Sequence, residues 1–196
     1  MRAFLRQLET HRKGSRGDRS GGRAAGSGIG LTLGLTLGRT AAGWYGPSMR
    51  IAVASDHAGL PLKGPILEWL AQHGHDGVDL GTQSSEPVDY PDVIAPAARA
   101  VASGDCRFAI VLGGSGTGEQ IVANKVHGIR CVQATEPVTA RLAREHNDAN
   151  VLSMGARIVG VAIALGCVEA FLTGEFQGGR HARRVEKISE LERDSG

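Results

Sequence analysis

The sequence predicts an α/β fold: a doubly wound, Rossmann-like, five-stranded parallel sheet in a three-layer α/β/α arrangement. Three observations predict this fold. Short apolar runs alternate with helical patterns along the chain from Met49 onward. Runs such as FAIVL (108–112) are apolar at every position, as a parallel strand covered by helices on both faces requires. Glycine-rich or polar segments follow the first and third runs, where such a sheet opens its ligand crevice.

The alternation can be followed element by element. Strands are expected at residues 51–54, 77–80, 108–112, 130–134 and 150–153. Helices are expected at residues 60–73, 91–102, from 119 onward, 137–146 and 158–172. A last, highly charged helix at 180–193 carries Val185, Ile188 and Leu191 at three-residue spacing. We expect that helix to pack on the body of the domain or on a neighbouring subunit.

Residues 1–48 differ in composition from the rest of the chain. They contain 11 glycines, and 8 Lys and Arg against 2 Asp and Glu. Such a segment cannot offset its ordering entropy by burial, so we expect a disordered extension. The composition changes at Met49, where an apolar, strand-like segment begins. Met49 is expected to be the natural start of a single domain over residues 49–196.

Composition excludes several classes of function. Residues 49–196 carry a net charge of −4 and show no continuous basic face, so a nucleic-acid partner is not expected. No run of about 18 apolar residues predicts a membrane span. Cys106, Cys131 and Cys167 are odd in number and form no CxxC pair, which favours a reducing cytoplasm over a disulfide framework. His73 and His75 lack further ligands at metal-site spacing, so a solvated helix end is expected there rather than a metal site.

The two segments predicted to meet at the crevice are Ser55–Gly59 (SDHAG) and the loop GGSGTG (113–118). The loop is not a Walker A motif, because no GK[ST] follows it. It is also neither a GxGxxG nor a GxSxG motif, because Glu119 and Thr117 stand at the last glycine positions. Two interpretations of this strand–loop–helix segment stay open. The backbone amides of the loop could point inward and bind an oxyanion, or the glycines could simply form a tight turn.

Glu119 opens the helix that follows the loop, where a carboxylate is favoured even as a surface residue. The functional alternative is a base that removes a proton from carbon beside a carbonyl, with the nest stabilising the resulting enediolate. Two further clusters, REHND (144–148) and GGRHARR (178–184), could supply an imidazole and phosphate-binding guanidiniums. Each cluster alone could equally be structural or solvated.

Together these segments resemble the ribose-5-phosphate isomerase B family, which also includes galactose-6-phosphate isomerase subunits. The resemblance covers nearly all of residues 49–188, in order and at family-like spacing. The matching segments are AVASDHAG (52–59), DLGT with SSEPVDYPD (79–92), GGSGTGEQIVANKVHGIR (113–130), REHNDANVLSMGAR (144–157) and GGRHARRVEKI (178–188). Nothing in residues 1–48 resembles the family.

The family has two versions of its proton-transfer site, with a Cys at the end of the third strand or a Glu after the glycine loop. This chain is similar to the glutamate version, since it has Gly113 and Glu119 at those positions. The resemblance implies that Glu119 moves the proton between C1 and C2, with Ser115 and the loop amides around the enediolate. It implies that His146 opens the furanose ring with the help of Asp56.

The remaining site residues that the resemblance implies bind substrate: they are His57, Tyr90, Gly114, Gly116, Thr117, Gly118, Asn147, Arg157, Arg180, His181 and Arg184. The implied activity interconverts ribose 5-phosphate and ribulose 5-phosphate without metal or other cofactor, in the non-oxidative pentose phosphate pathway. A homodimer or tetramer with shared active sites is implied as well. Two alternatives stay open: an isomerase of galactose 6-phosphate, allose 6-phosphate or a tetrose phosphate, and a non-catalytic phosphate-binding module in which Glu119 is dispensable.

Overall fold

The computed structural model describes residues 47–194. The extension predicted over residues 1–48 therefore lies, apart from the exposed Pro47 and Ser48, outside the described residues. Five strands and six helices alternate over the described part of the chain. They are β1 (Arg50–Ser55), α1 (Leu60–Gln72), β2 (Asp76–Asp79), α2 (Tyr90–Ala102), β3 (Phe108–Gly113), α3 (Thr117–Ala123), β4 (Cys131–Gln133), α4 (Pro137–Asn147), β5 (Val151–Gly155), α5 (Val161–Thr173) and α6 (Arg180–Asp194).

The five strands form one parallel sheet in the order β2-β1-β3-β5-β4. The side chains of alternate strand residues point to opposite faces of the sheet. Helices cover each face, so the sheet lies between two separate hydrophobic cores. Ile51 and Ile110 join α1, α4 and α5 on one face, whereas Ala52 and Val111 join α2 and α3 on the other. The predicted fold class is thus confirmed, and the two-sided burial explains why β1 and β3 are apolar at nearly every position.

The strand order reverses between β1 and β3, so the loops after these two strands diverge and leave a crevice between them. Both loops lie at the carboxyl edge of the sheet, by which we mean the ends of the strands at Ser55, Gly113 and Gly155. The opposite end, where the strands begin, is the amino edge. All site residues lie at one edge or the other.

Four details differ from the sequence-based expectation. α5 begins at Val161 rather than near residue 158, because Ile158 and Val159 instead form a turn on Gly155. β4 is an edge strand and is shorter than predicted. His75 is buried, so the predicted solvated helix end is wrong at that residue. Within the described residues, the outer part of the apolar α6 stripe stays exposed, with Ile188 47% and Leu191 68% exposed.

Candidate active site

A cavity of about 380 Å³ lies at the carboxyl edge of the sheet. Segments that follow β1, β3 and β5 line it, together with the first residue of α2. The lining residues are Asp56, His57, Ala58, Tyr90, Gly114, Ser115, Gly118, Glu119, Arg157 and Ile158. Eight of these ten residues belong to the predicted site, so the fold brings one large part of that site together around one crevice.

The glycine loop is held by contacts from behind. Gly116 has φ +84°, a left-handed conformation that any side chain would strain. Its carbonyl accepts a 2.6 Å hydrogen bond from the buried Ser153 hydroxyl, and the Gln133 amide donates to the Ser115 carbonyl. Gly116 and Thr117 therefore shape the loop and do not line the cavity themselves.

Glu119 is buried, with 4% of its surface exposed, although it lies in the first turn of a helix. A surface capping residue would be solvated, so the structural alternative considered for Glu119 does not hold. Burial raises the pKa of the Glu119 carboxyl, and the nearby Asp56 raises it further, while hydrogen bonds from the backbone of Glu119 and Gly116 oppose the shift. The carboxylate fits because Gly113 has no side chain: a Cβ there would overlap it.

Asp56 and His57 are oriented by backbone amides. The Gly59 amide donates to Asp56 Oδ1 at 2.8 Å, which holds the buried carboxylate at the mouth of the crevice. The Val88 amide donates to His57 Nδ1 at 3.4 Å, so a neutral His57 ring carries its proton on Nε2. One carboxylate and one imidazole donor therefore stand beside Glu119.

Tyr90 and Arg157 close the sides of the cavity. The Tyr90 ring lies against Gly118, where an added Cβ would stand only 3.0 Å from the ring. The Arg157 amide donates to the Gly114 carbonyl at 3.0 Å, which places its exposed guanidinium beside the glycine loop. This guanidinium gives the cavity a positive charge that suits an anionic substrate group.

The other predicted site residues lie at the amino edge. His146 and Asn147 end α4, just before β5, and Arg180, His181 and Arg184 begin α6. A strand of the length of β5 spans about 15 Å, so this group is separated from Glu119 by the depth of the sheet. The His146 and His181 rings stack with centroids 4.2 Å apart and planes inclined by 5°. One chain thus holds the predicted site as two groups at opposite edges.

Two other residues of the REHND cluster (144–148), Arg144 and Asp148, have a structural role. Arg144 is buried, bonds Asp148 Oδ1 at 2.8 Å and the Ala149 carbonyl at 2.6 Å, and lies over the Phe108 ring. Arg130 also bonds the Asp148 carboxylate, at 2.7 Å. Asp148 has φ +45°, a left-handed conformation that few residues other than glycine adopt, although Asn and Asp do so more often than most. The two arginines therefore hold the strained turn that ends α4 and carries His146.

Sequence reasoning missed several supporting residues. Gly113 was noted only as the position of an absent cysteine, whereas its missing side chain makes room for Glu119. Gln133 and Ser153 brace the loop from β4 and β5, and Val88 orients His57. No local pattern marks the last three contacts, because they join residues that are 18, 37 and 31 positions apart. Ile158 lines the cavity only because α5 begins later than its apolar pattern suggests.

A second, larger cavity of about 500 Å³ lies at the amino edge, beside Phe108 and Arg144. We assign the chemistry to the smaller cavity, because it holds a buried carboxylate against a glycine loop. Within residues 47–194, no three His, Cys, Asp or Glu side chains are grouped as a metal site would require. No helix of this part of the chain is long and apolar enough to span a membrane.

Comparison with known proteins agrees with this geometry. The family model described as Ribose/Galactose Isomerase matches residues 51–188. The ribose-5-phosphate isomerase B of Escherichia coli (strain K12) is 45% identical over 73% of this chain and 96% of its own length. That of Mycolicibacterium paratuberculosis is 49% identical over 74% of this chain and 92% of its own length.

Solved structures give the same result. The ribose-5-phosphate isomerase B of Clostridium thermocellum has a TM-score of 0.75 and 49% identity, covering 76% of this chain and all of its own. The enzyme of Mycoplasma genitalium, solved with bound ribulose-5-phosphate, has a TM-score of 0.71 and 39% identity, covering 74% of this chain and 96% of its own. Sequence motifs, fold and relatives therefore agree, and the chain belongs to the ribose/galactose isomerase family.

Proposed function

We propose that this chain is an aldose–ketose isomerase that interconverts ribose 5-phosphate and ribulose 5-phosphate through an enediolate, in the pentose phosphate pathway. The observation that carries the proposal is the buried Glu119 carboxylate, held against the glycine loop beneath Gly113. The five-carbon substrate is supported by the names of the relatives. The proposal needs no metal or nucleotide, because a base, an oxyanion site and a phosphate anchor suffice for this chemistry.

Glu119 takes a proton from C2 of the open-chain aldose and returns it to C1. A carboxylate whose pKa is raised by burial is suited to this task, because it is a stronger base than a solvated glutamate. Ser115 and the amides of Gly114 and Gly118 lie beside the cavity and stabilise the enediolate oxygens. Tyr90 lines the pocket and limits the volume open to the sugar.

The amino-edge group joins this site from a second copy of the chain. His146 then opens the furanose ring with Asp56 at the ring oxygen, and Asn147 binds the substrate hydroxyls. Arg157 and His57 of one subunit face the phosphate with Arg180, His181 and Arg184 of the other. The exposed apolar side chains Ile158, Ile163 and Leu191 support an interface of this kind, so we propose a homodimer or a larger assembly with shared sites.

We propose that the enzyme works in the cytoplasm. All three cysteines of the chain, Cys106, Cys131 and Cys167, are unpaired and buried. Burial raises the pKa of each thiol, to about 11 for Cys167, so none is an activated thiolate. Thiols of this kind are typical of proteins in a reducing compartment.

Two measurements test the proposal. Initial rates on ribose 5-phosphate, galactose 6-phosphate, allose 6-phosphate and erythrose 4-phosphate rank the substrates, and ribose 5-phosphate is expected to have the highest kcat/KM. A clear preference for a hexose or tetrose phosphate would overturn the substrate while leaving the reaction class intact.

The second measurement is the Glu119→Gln variant. It should lose at least about a hundredfold in kcat, because the amide cannot accept the proton. Binding of inorganic phosphate, followed by calorimetry, should stay within about twofold because the isostere keeps the cavity shape. A variant with full isomerase activity would overturn the assignment of the base, and a wild-type chain that binds phosphate without turnover would be a binding module.

A further inference from the structure

We infer that His181 is a positioning residue for His146: as a neutral imidazole it gives the His146 ring a flat partner that fixes its orientation for ring opening. The inference deepens the proposed function and rests on it, since ring opening by His146 is part of that proposal. It replaces a direct contact between His181 and the phosphate by an indirect role through His146.

The first support is the geometry of the pair. The two rings are nearly parallel, 5° apart, at a centroid separation of 4.2 Å. Their backbones are tied together as well, because the Gln177 amide donates to the Glu145 carbonyl at 3.0 Å just before α6 begins. His181 is 7% exposed, whereas His146 is only partly buried. The buried ring therefore serves as the support, and His146 keeps a surface open to a ligand.

The second support is the hydrogen bond that sets the tautomer of His181. Arg180 Nε donates to His181 Nε2 at 3.3 Å. A guanidinium has no acceptor, so Nε2 must present its lone pair and the single ring proton must lie on Nδ1. This bond can form only with a neutral His181 ring, and it engages Nε2, so Nδ1–H is the only donor left on the ring.

The charges around the ring favour the same state. Burial lowers the pKa of His181, and His146 on α4 together with Arg180 and Arg184 on α6 lowers it further. The carboxylate adjacent to His146 on α4, Glu145, is already bonded to Arg141 and Gln177. A neutral His181 places no positive charge against the face of the His146 ring.

The phosphate contacts then fall to the arginines. Arg180 and Arg184 are both exposed at the start of α6, and a guanidinium can bind a phosphate through two parallel hydrogen bonds. Arg180 therefore has two functions: its Nε holds His181, and its terminal nitrogens remain for the anion.

The experiment compares two substrates that differ in the need for ring opening. Ribose 5-phosphate is mainly a furanose in solution, whereas ribulose 5-phosphate cannot form that ring because its C5 oxygen carries the phosphate. Turnover of ribose 5-phosphate reports both steps, and exchange of solvent deuterium into C1 of ribulose 5-phosphate reports proton transfer alone. Both are measured for the wild type, His181→Ala, His181→Phe and the control Arg183→Ala, which changes an exposed neighbour on α6.

We expect His181→Ala to lower kcat for ribose 5-phosphate by about tenfold or more, while deuterium exchange stays within about twofold. His181→Phe restores a flat ring and should recover most of that turnover, and Arg183→Ala should change neither rate. Equal losses of turnover and exchange in His181→Ala would overturn the inference. So would a raised KM with an unchanged kcat, which would instead identify a phosphate ligand. A wild type that does not turn over ribose 5-phosphate would refute the proposed function itself.

Discussion

In the proposed reaction the two edges of the sheet have different tasks, and they are built by different means. At the carboxyl edge, main-chain geometry organises the site: a glycine loop surrounds the buried Glu119 and is braced from behind by Gln133 and Ser153. At the amino edge, side chains from the ends of α4 and α6 do so, through the stack of His146 on His181. Glu119 and His146 are thus separated within one chain. Under the proposed function, each chain therefore contributes two half-sites rather than one complete site.

The largest expected effect comes from mixing two inactive variants. The recovery of activity tests whether Glu119 and His146 meet across two subunits. Glu119→Gln and His146→Ala should each be nearly inactive in an assay of cyclic ribose 5-phosphate. After unfolding and refolding together in equal amounts, about half of the dimers are mixed, and each mixed dimer holds one intact site in two. About a quarter of wild-type activity should return, measured as initial rate per subunit.

The refolded single variants are the controls and should stay inactive. Sites built within one chain would give no recovery on mixing, because no subunit would then contain both residues. Size-exclusion chromatography of the mixture shows whether the subunits have assembled.

Gly113→Ala tests how tightly the carboxyl edge is packed. The added Cβ overlaps the Glu119 carboxylate, so the base must move by about 1 Å, and a shift of that size costs about a hundredfold in rate. The matched control is Gly64→Ala in α1, where an added Cβ meets nothing within 4 Å. Steady-state kcat/KM is the measurement. A Gly113→Ala variant as active as the control would mean that Glu119 is not held as described.

The Lys63–Asp79 ion pair lies beneath the carboxyl edge of the sheet. Removing it tests how much this pair stabilises the fold. Lys63 is buried and bonds both Asp79, at 2.9 Å, and the Thr82 carbonyl, and the Thr82 amide in turn bonds the end of β1 at Ser55. Asp79→Ala leaves that ammonium uncompensated and should lower the free energy of unfolding by about 3 kcal/mol. The control is Asp76→Ala, which removes the exposed Arg50–Asp76 pair and should cost less than about 1 kcal/mol. Urea unfolding measures both.

The Asp79 effect should also depend on pH. Burial alone would raise the pKa of the Asp79 carboxyl, but the bonds from Lys63, Gln83 and Gly81 lower it below its usual value of 3.8. The stabilisation is therefore present above that value and is lost as the pH falls through the lowered pKa. A stability difference between Asp79→Ala and the wild type that persists unchanged into strong acid would contradict this account.

The smallest expected effect is a gain in stability in Glu119→Gln. Because the pKa of Glu119 is raised in the fold, its ionised form destabilises the folded state at every pH above that pKa. The neutral amide removes this cost, and the thermal midpoint should rise by a few degrees at pH 8, since 1 kcal/mol corresponds to roughly 2–4 °C. The gain should shrink as the pH falls toward 4.5, the ordinary value for a glutamate carboxyl. A midpoint lower than that of the wild type at pH 8 would contradict burial of a charged base.

Much of the fold could be predicted because the periodicity is strong. All five strands and six helices lie where the alternation predicts them, with bounds that shift by a few residues. The largest shift is at Ile158 and Val159, whose apolar pattern continues that of α5 although they form the turn after β5. The buried His75 was missed because its environment comes from the amino edge of the sheet, near Phe108 and Leu172, which are remote in sequence.

The site was predicted in part, for a physical reason. Asp56, Ser115 and Glu119 follow neighbouring strands, so topology alone brings them together. His146 lies at the end of α4, which runs to the amino edge, and Arg180 lies at the start of α6 near the same edge. Their separation from Glu119 within one chain follows from the strand and helix directions. No local pattern indicates that the two groups meet, because in the proposed site they come from two chains. The stack on His181 depends on the angle between α4 and α6, which a sequence does not contain.

The missing side chain at Gly113 also constrains how this enzyme can change over generations. Any residue larger than glycine there meets the carboxylate of Glu119, the base of the proposed reaction. A cysteine at this position, as in the other version of the family, would fill the space of the carboxylate. We therefore expect the two positions to be coupled, so that the effect of a change at residue 113 depends on which residue stands at position 119.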